Sequence, residues 1–162
     1  MDVVRLLISA IIICVFLSVI YWLFGAAKKE NKKYCEMKAL AEKHFELYML
    51  MTYWTRMSIE GKKASDYFKE RDIKDIAIYG MNYVGETLLK DLNNTGVEVK
   101  YGIDRNYSAI SSSVRVFSPQ QNLQEVGAIV VTPISSFDQI EYELSKKFNC
   151  PIISIEDIIY TL

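Results

Sequence analysis

A single histidine, three prolines and three scattered cysteines leave this chain of 162 residues little material for metal or disulfide chemistry. His44 has no second ligand type at metal-binding spacing, and a protein zinc site needs three or four such groups. Cys14, Cys35 and Cys150 form no Cys-x-x-Cys pair and read as reduced, structural thiols, in keeping with a reducing compartment. Nor is there an excess of either charge. Lysine plus arginine total 19 against 20 for aspartate plus glutamate, and a net charge of -1 offers no basic face for nucleic acid. There are no repeats and no low-complexity tract. The serines from Ser111 to Ser113 and at Ser135 and Ser136 lack a base at a recognisable spacing, so nucleophilic catalysis finds no support.

What the chain has in abundance is apolar residues, 51% of the total, concentrated at the N-terminus. From Leu6 to Ala27 no charge occurs, and only Ser9 and Ser18 dilute the polarity. That run is long enough to cross a hydrocarbon layer of about 30 Å as a helix. Tyr21 and Trp22 lie near its end, where amphipathic rings favour the interface, and Lys28, Lys29, Lys32 and Lys33 follow against Arg5 on the other side. The positive-inside rule then makes this a single-pass protein of the cytoplasmic membrane with its C-terminal domain in the cytoplasm. A cleaved signal peptide ending at Gly25-Ala26-Ala27 is the rival reading. The weakly charged start and the lysines on the translocated side count against it.

Three parts are expected: residues 1–27 as the anchor, 28–72 as a basic connector and helical arm, and 73–162 as an α/β domain. Between Lys28 and Ser58 neither proline nor glycine interrupts the pattern, and Leu40, Leu47, Leu50, Trp54 and Met57 fall on one helical face. The almost wholly apolar half from Leu47 to Trp54 is expected to cover the α/β domain. Self-association, contact with the membrane surface or a glycan-assembly partner are the other uses of that face.

From Ile76 onward strands and helices alternate as parallel βαβ units demand. Strands are expected at 76–79, 97–103, 114–117, 128–132 and 151–155. Helices are expected at 83–92 and 137–148, with helical turns at 122–126 and 155–160. Right-handed crossovers give a five-stranded parallel Rossmann-like sheet in the order 3-2-1-4-5, preceded by one transmembrane helix and the arm. In such a sheet ligands bind at the strand carboxyl ends. That edge gathers Gly80, Met81, Asn82, Gly85, Asp104, Arg105, Thr132, Pro133, Ser135 and Ser136.

The decapeptide from Ile76 to Gly85, Ile-Ala-Ile-Tyr-Gly-Met-Asn-Tyr-Val-Gly, reads as a buried strand turning sharply into a helix. Gly80 allows the tight turn, Gly85 the close approach of helix to strand, and Asp104 stands where a ribose-binding carboxylate belongs. Asn82 occupies the place of the second glycine; asparagine tolerates left-handed backbone, so the turn survives. The amides of residues 82–84 are expected to be open to an anion at the positive end of the helix. A purely structural turn, with no ligand, is the competing reading.

The same run continued through Glu86-Thr87-Leu88, with Val99-Lys100-Tyr101-Gly102-Ile103-Asp104-Arg105-Asn106 downstream, resembles small bacterial Rossmann-like proteins of capsule and surface-polysaccharide gene clusters. The lead-in residues Trp54, Gly61-Lys62, Tyr67-Phe68 and Ile73-Lys74-Asp75 fit that group, and the likeness covers residues 52–162. More distantly the domain is similar to the sugar-nucleotide-binding N-terminal domain of bacterial sugar acetyltransferases, where Gly80, Gly85 and Asp104 match positions in the nucleotide-sugar pocket. The chain lacks the left-handed β-helix that carries acetyltransferase chemistry. The resemblance implies a membrane-anchored nucleotide or sugar-nucleotide binding module accessory to surface-polysaccharide biosynthesis. A fragment of an NAD(P)-dependent oxidoreductase or epimerase working with a partner, and a non-binding membrane adaptor, are the alternatives.

Overall fold

The computed structural model describes residues 2–162; Met1, first residue of the expected anchor, lies outside the described residues. The chain divides into two units, Met1–Phe45 and Glu46–Leu162.

The first unit consists of the leading part of α1 (Asp2–Ile59). Among its described side chains, Ile11, Phe16 and Phe24 are exposed. The stretch reaches a mean hydropathy of 2.7 with none of it buried, and is long and apolar enough to cross a membrane on length and composition. Farther along, the pairs Lys32–Glu36 and Lys38–Glu42 sit one helical turn apart at 3.8 Å. Both are exposed and contribute a few tenths of a kcal/mol at most, so the helix rests on its residue propensities rather than on ion pairs.

The second unit begins at Glu46, inside the expected arm. The reason is the apolar face of α1's second half. Leu50, Trp54 and Met57 are buried, and Leu50 and Trp54 share one core with Phe68, Ile76 and Ile78. The expected covering role of that half is therefore what the structure shows. Gly61 ends the helix: its amide meets the Ser58 carbonyl, and that of Lys62 the Met57 carbonyl. The short α2 (Ala64–Glu70) follows.

Five parallel strands make the sheet: β1 (Asp75–Tyr79), β2 (Glu98–Ile103), β3 (Val116–Phe117), β4 (Ala128–Val131) and β5 (Ile152–Ser154). Their order is β3-β2-β1-β4-β5, as read from the sequence. The connecting helices are α3 (Tyr83–Asp91), α4 (Phe137–Leu144) and α5 (Ile155–Ile159). Alternation along the central strands sorts residues to two faces. Ile76, Ile78, Ala128 and Val130 point to the core that contains α3, α5 and the end of α1. Ala77, Tyr79, Ile129 and Val131 point to a second core closed by Ile140, Leu144 and Phe148.

The structure differs from the expectations in detail, and the third strand keeps only Val116–Phe117 of 114–117. Residues 122–126 form no helical turn. Leu123 and Val126 pack into the second core, and the Gln124 carbonyl accepts a hydrogen bond from the Tyr101 hydroxyl, which holds the segment extended. Helix α4 stops at Leu144 rather than Phe148, because the Lys147 amide reaches back only three residues, to Leu144, and the end tightens into turns. Between Ile76 and Ala77 the pairing with β2 skips Lys100, a bulge that sends Val99 to the first core and Tyr101 to the second.

Candidate functional site

The strand order reverses beside β1, so the carboxyl ends of β1, β2 and β4 open a crevice there. Tyr79 leads into Gly80, whose φ of +91° is open to glycine at little cost. A Cβ on Gly80 would stand 2.6 Å from Thr132 Oγ1 and 2.8 Å from Pro133 Cδ. A Cβ on Gly85 would stand 2.3 Å from the Gly80 carbonyl oxygen, so α3 sits directly on the turn. Both glycines are required by close packing.

Asn82 is the N-cap of α3, and its backbone is extended (φ -87°), so the left-handed tolerance expected of it is not used. Its Oδ1 accepts from the amides of Val84 at 3.0 Å and Gly85 at 3.5 Å. The Met81 amide, in turn, donates to Asp104 Oδ2 at 2.9 Å across 23 residues of chain. Of the amides expected to be open at residues 82–84, that of Val84 is taken by Asn82, and the neighbouring Met81 and Gly85 amides are also held by side chains. Asn82 stands there because a helix start without a ligand needs an acceptor.

Asp104 is half-buried and fixed at both oxygens, with Oδ1 accepting from the Asn106 amide at 2.8 Å. Each carboxylate oxygen keeps a further lone pair for another donor. Arg105 is exposed and lies 3.8 Å from Glu143. Thr132 is buried and donates its hydroxyl to the Gly80 carbonyl at 2.6 Å. Met81 is buried too, and fills the space above Gly102.

A cavity of about 180 Å³ opens at this edge. Of the ten residues expected at this edge, Gly80, Asn82, Asp104, Arg105, Pro133 and Ser136 line it. Met81, Gly85 and Thr132 support the turn from behind. Sequence reasoning passes over Tyr79, Gln139 and Ile140, which complete the wall. Tyr79 is 4% exposed, and its hydroxyl is buried without a hydrogen-bond partner. The available signal was the tyrosine itself, a polar tip on the last residue of a strand whose preceding three residues are Ile, Ala and Ile.

Two Tyr-x-x-x-Lys spacings, the acid–base pattern of short-chain dehydrogenases and sugar epimerases, occur at Tyr34/Lys38 and Tyr142/Lys146. Neither reaches the cavity wall; Lys146 lies over the exposed Tyr142 ring at 3.6 Å. His44 is exposed on α1, and no cluster of three metal-ligating side chains occurs among the described residues. Cys14 and Cys35 are exposed free thiols, whereas Cys150 is half-buried, with burial pushing its pKa up. Compared with protein-family models, curated proteins and solved structures, the chain matches none.

Proposed function

We propose that the chain is a membrane-anchored cytoplasmic module with a Rossmann-like domain that binds a nucleotide or sugar-nucleotide, accessory to surface-polysaccharide assembly. One observation carries this reading. At the switch point of a parallel sheet, a cavity holds a carboxylate, Asp104, fixed by two backbone amides with lone pairs left over for ligand hydroxyls. The uncharged run of α1 and the four lysines after it support the anchor and the cytoplasmic side. Against the adaptor reading, Leu50 and Trp54 of its proposed surface are spent on the domain's own core, while Tyr48 and Met49 stay exposed.

The test is a thermal-shift series on the full-length chain in detergent, against UDP-sugars, CMP-sugars, UDP, NAD and NADP. A concentration-dependent rise with one class, lost in Asp104→Ala, supports the module. A flat response from a folded sample across all of them refutes it.

A further inference from the structure

A second opening lies away from the glycine turn, along the outer edge of β2. Strand β2 has six residues, whereas β3 has two, which pair with Gly102 and Ile103. Residues 98–101 therefore have no strand on that side. The segment that would extend β3 backwards, Ser113-Val114, stands off from β2, and a groove of about 410 Å³ lies between it and Glu98 and Val99. The Glu98 amide donates to the Lys74 carbonyl on the β1 side, and the Gly102 amide to the Arg115 carbonyl on the β3 side. Successive residues of a strand bond to opposite sides, so the amide and carbonyl of Val99, next to Glu98, face the free edge. An edge with unpaired backbone groups is a template for another strand. Charge decides which strand suits it. Glu98 and Lys100 flank Val99, are exposed, and form a salt bridge with each other on one face of the strand. Lys100 alone would repel a like edge; with Glu98 beside it the edge carries both signs, disposed about Val99. An antiparallel copy turned about that residue sets Glu98 against the other copy's Lys100, and Lys100 against the other copy's Glu98. Opposite charges directly across a strand pair stabilise it, and like charges destabilise it.

We infer that this edge is where two copies of the chain meet, in an antiparallel β2–β2 pairing centred on Val99. The two Val99 residues exchange backbone hydrogen bonds, and Glu98 and Lys100 of both copies close a ring of alternating charge. The pairing is two-fold and self-complementary, so it uses the same patch on each copy and ends at a dimer. Val99, only partly buried in a single copy, is covered in the pair. The inference does not depend on which ligand, if any, fills the cavity at the glycine turn.

The experiment is sedimentation equilibrium of the full-length chain in detergent, for the native chain, Glu98→Lys, Lys100→Glu and an equimolar mixture of the two variants. The native chain should dimerise. Each variant alone sets like charges across the axis and should weaken its own dimer at least about tenfold. In the mixture one chain brings two positive charges to the contact and the other two negative, so a heterodimer should form within about threefold of native affinity. That rescue also shows both variants to be folded. Dimers that both single variants keep at native strength overturn the inference and move the contact to another surface, such as α1. Loss in both variants without rescue in the mixture overturns it as well, because charge pairing then does not hold the copies together. A native chain that stays monomeric at every concentration leaves no dimer to explain and overturns it outright.

Discussion

The two faces of the sheet are built to different standards. The first is covered by the second half of α1 together with α2, α3 and α5, and its core runs from Leu50 through Ile76 and Ile78 to Ile158. The second is closed by α4 and the extended segment around Leu123 and Val126, and the cavity opens at its carboxyl end. The first face is heavily covered, while the second, thinly covered one leaves a cavity open at its end. Dense packing and open space are thus divided between opposite sides of the same strands, which alternation of side chains makes possible at no cost in backbone.

The comparison can be broken most severely where the two faces meet, at the turn. Gly85→Ala would force a methyl to within 2.3 Å of the Gly80 carbonyl oxygen and should destabilise the domain by roughly 3 kcal/mol, read by urea denaturation. Next comes truncation on the covered face: Leu50→Ala should cost about 3 kcal/mol, whereas Ile140→Ala, at the cavity margin where neighbours can relax, should cost about 2 kcal/mol. Equal costs would show that the faces are equivalent after all. Asp104→Ala removes two charge-assisted acceptors and should cost about 2 kcal/mol, with hydrogen exchange faster at the Met81 and Asn106 amides. Asn82→Ala should cost about 1 kcal/mol, confined to α3.

The smallest effect is one of pH. Burial pushes the Tyr101 phenol up to about 12 from an ordinary 10.0. Below about pH 10 both folded and unfolded chains keep that proton. Between about pH 10 and 12 only the unfolded chain releases it, so stability falls across that window. Tyr101→Phe should flatten the decline, and an unchanged slope would assign it to other groups.

Much of the fold is legible in the residues. Strands such as Ala128–Val131 are wholly apolar, and α3 carries Val84, Leu88 and Leu92 at helical spacing, so periodicity alone separates them. The glycine turn and Asp104 stand out for the same reason: few residue types suit those positions. What escapes is the pairing of polar groups over distance. Nothing local says that Asp104 will accept from Met81, 23 residues away. An asparagine in place of glycine reads as a weakened ligand loop, whereas the packed chain uses it as a cap. The segment 122–126 fails in a similar way. Its residues would suit a helical turn, but the Tyr101 hydroxyl and the second core compete for it and win.

The self-capped turn has a consequence for how such a module would behave in a cell. A loop in which Asn82 and Asp104 hold the Met81, Val84 and Gly85 amides keeps its shape when empty, so folding does not wait for a ligand. The protein's lifetime and its occupancy are then uncoupled. Supply of any ligand could then rise and fall while the amount of folded protein stayed constant, and the filled fraction alone would report the change.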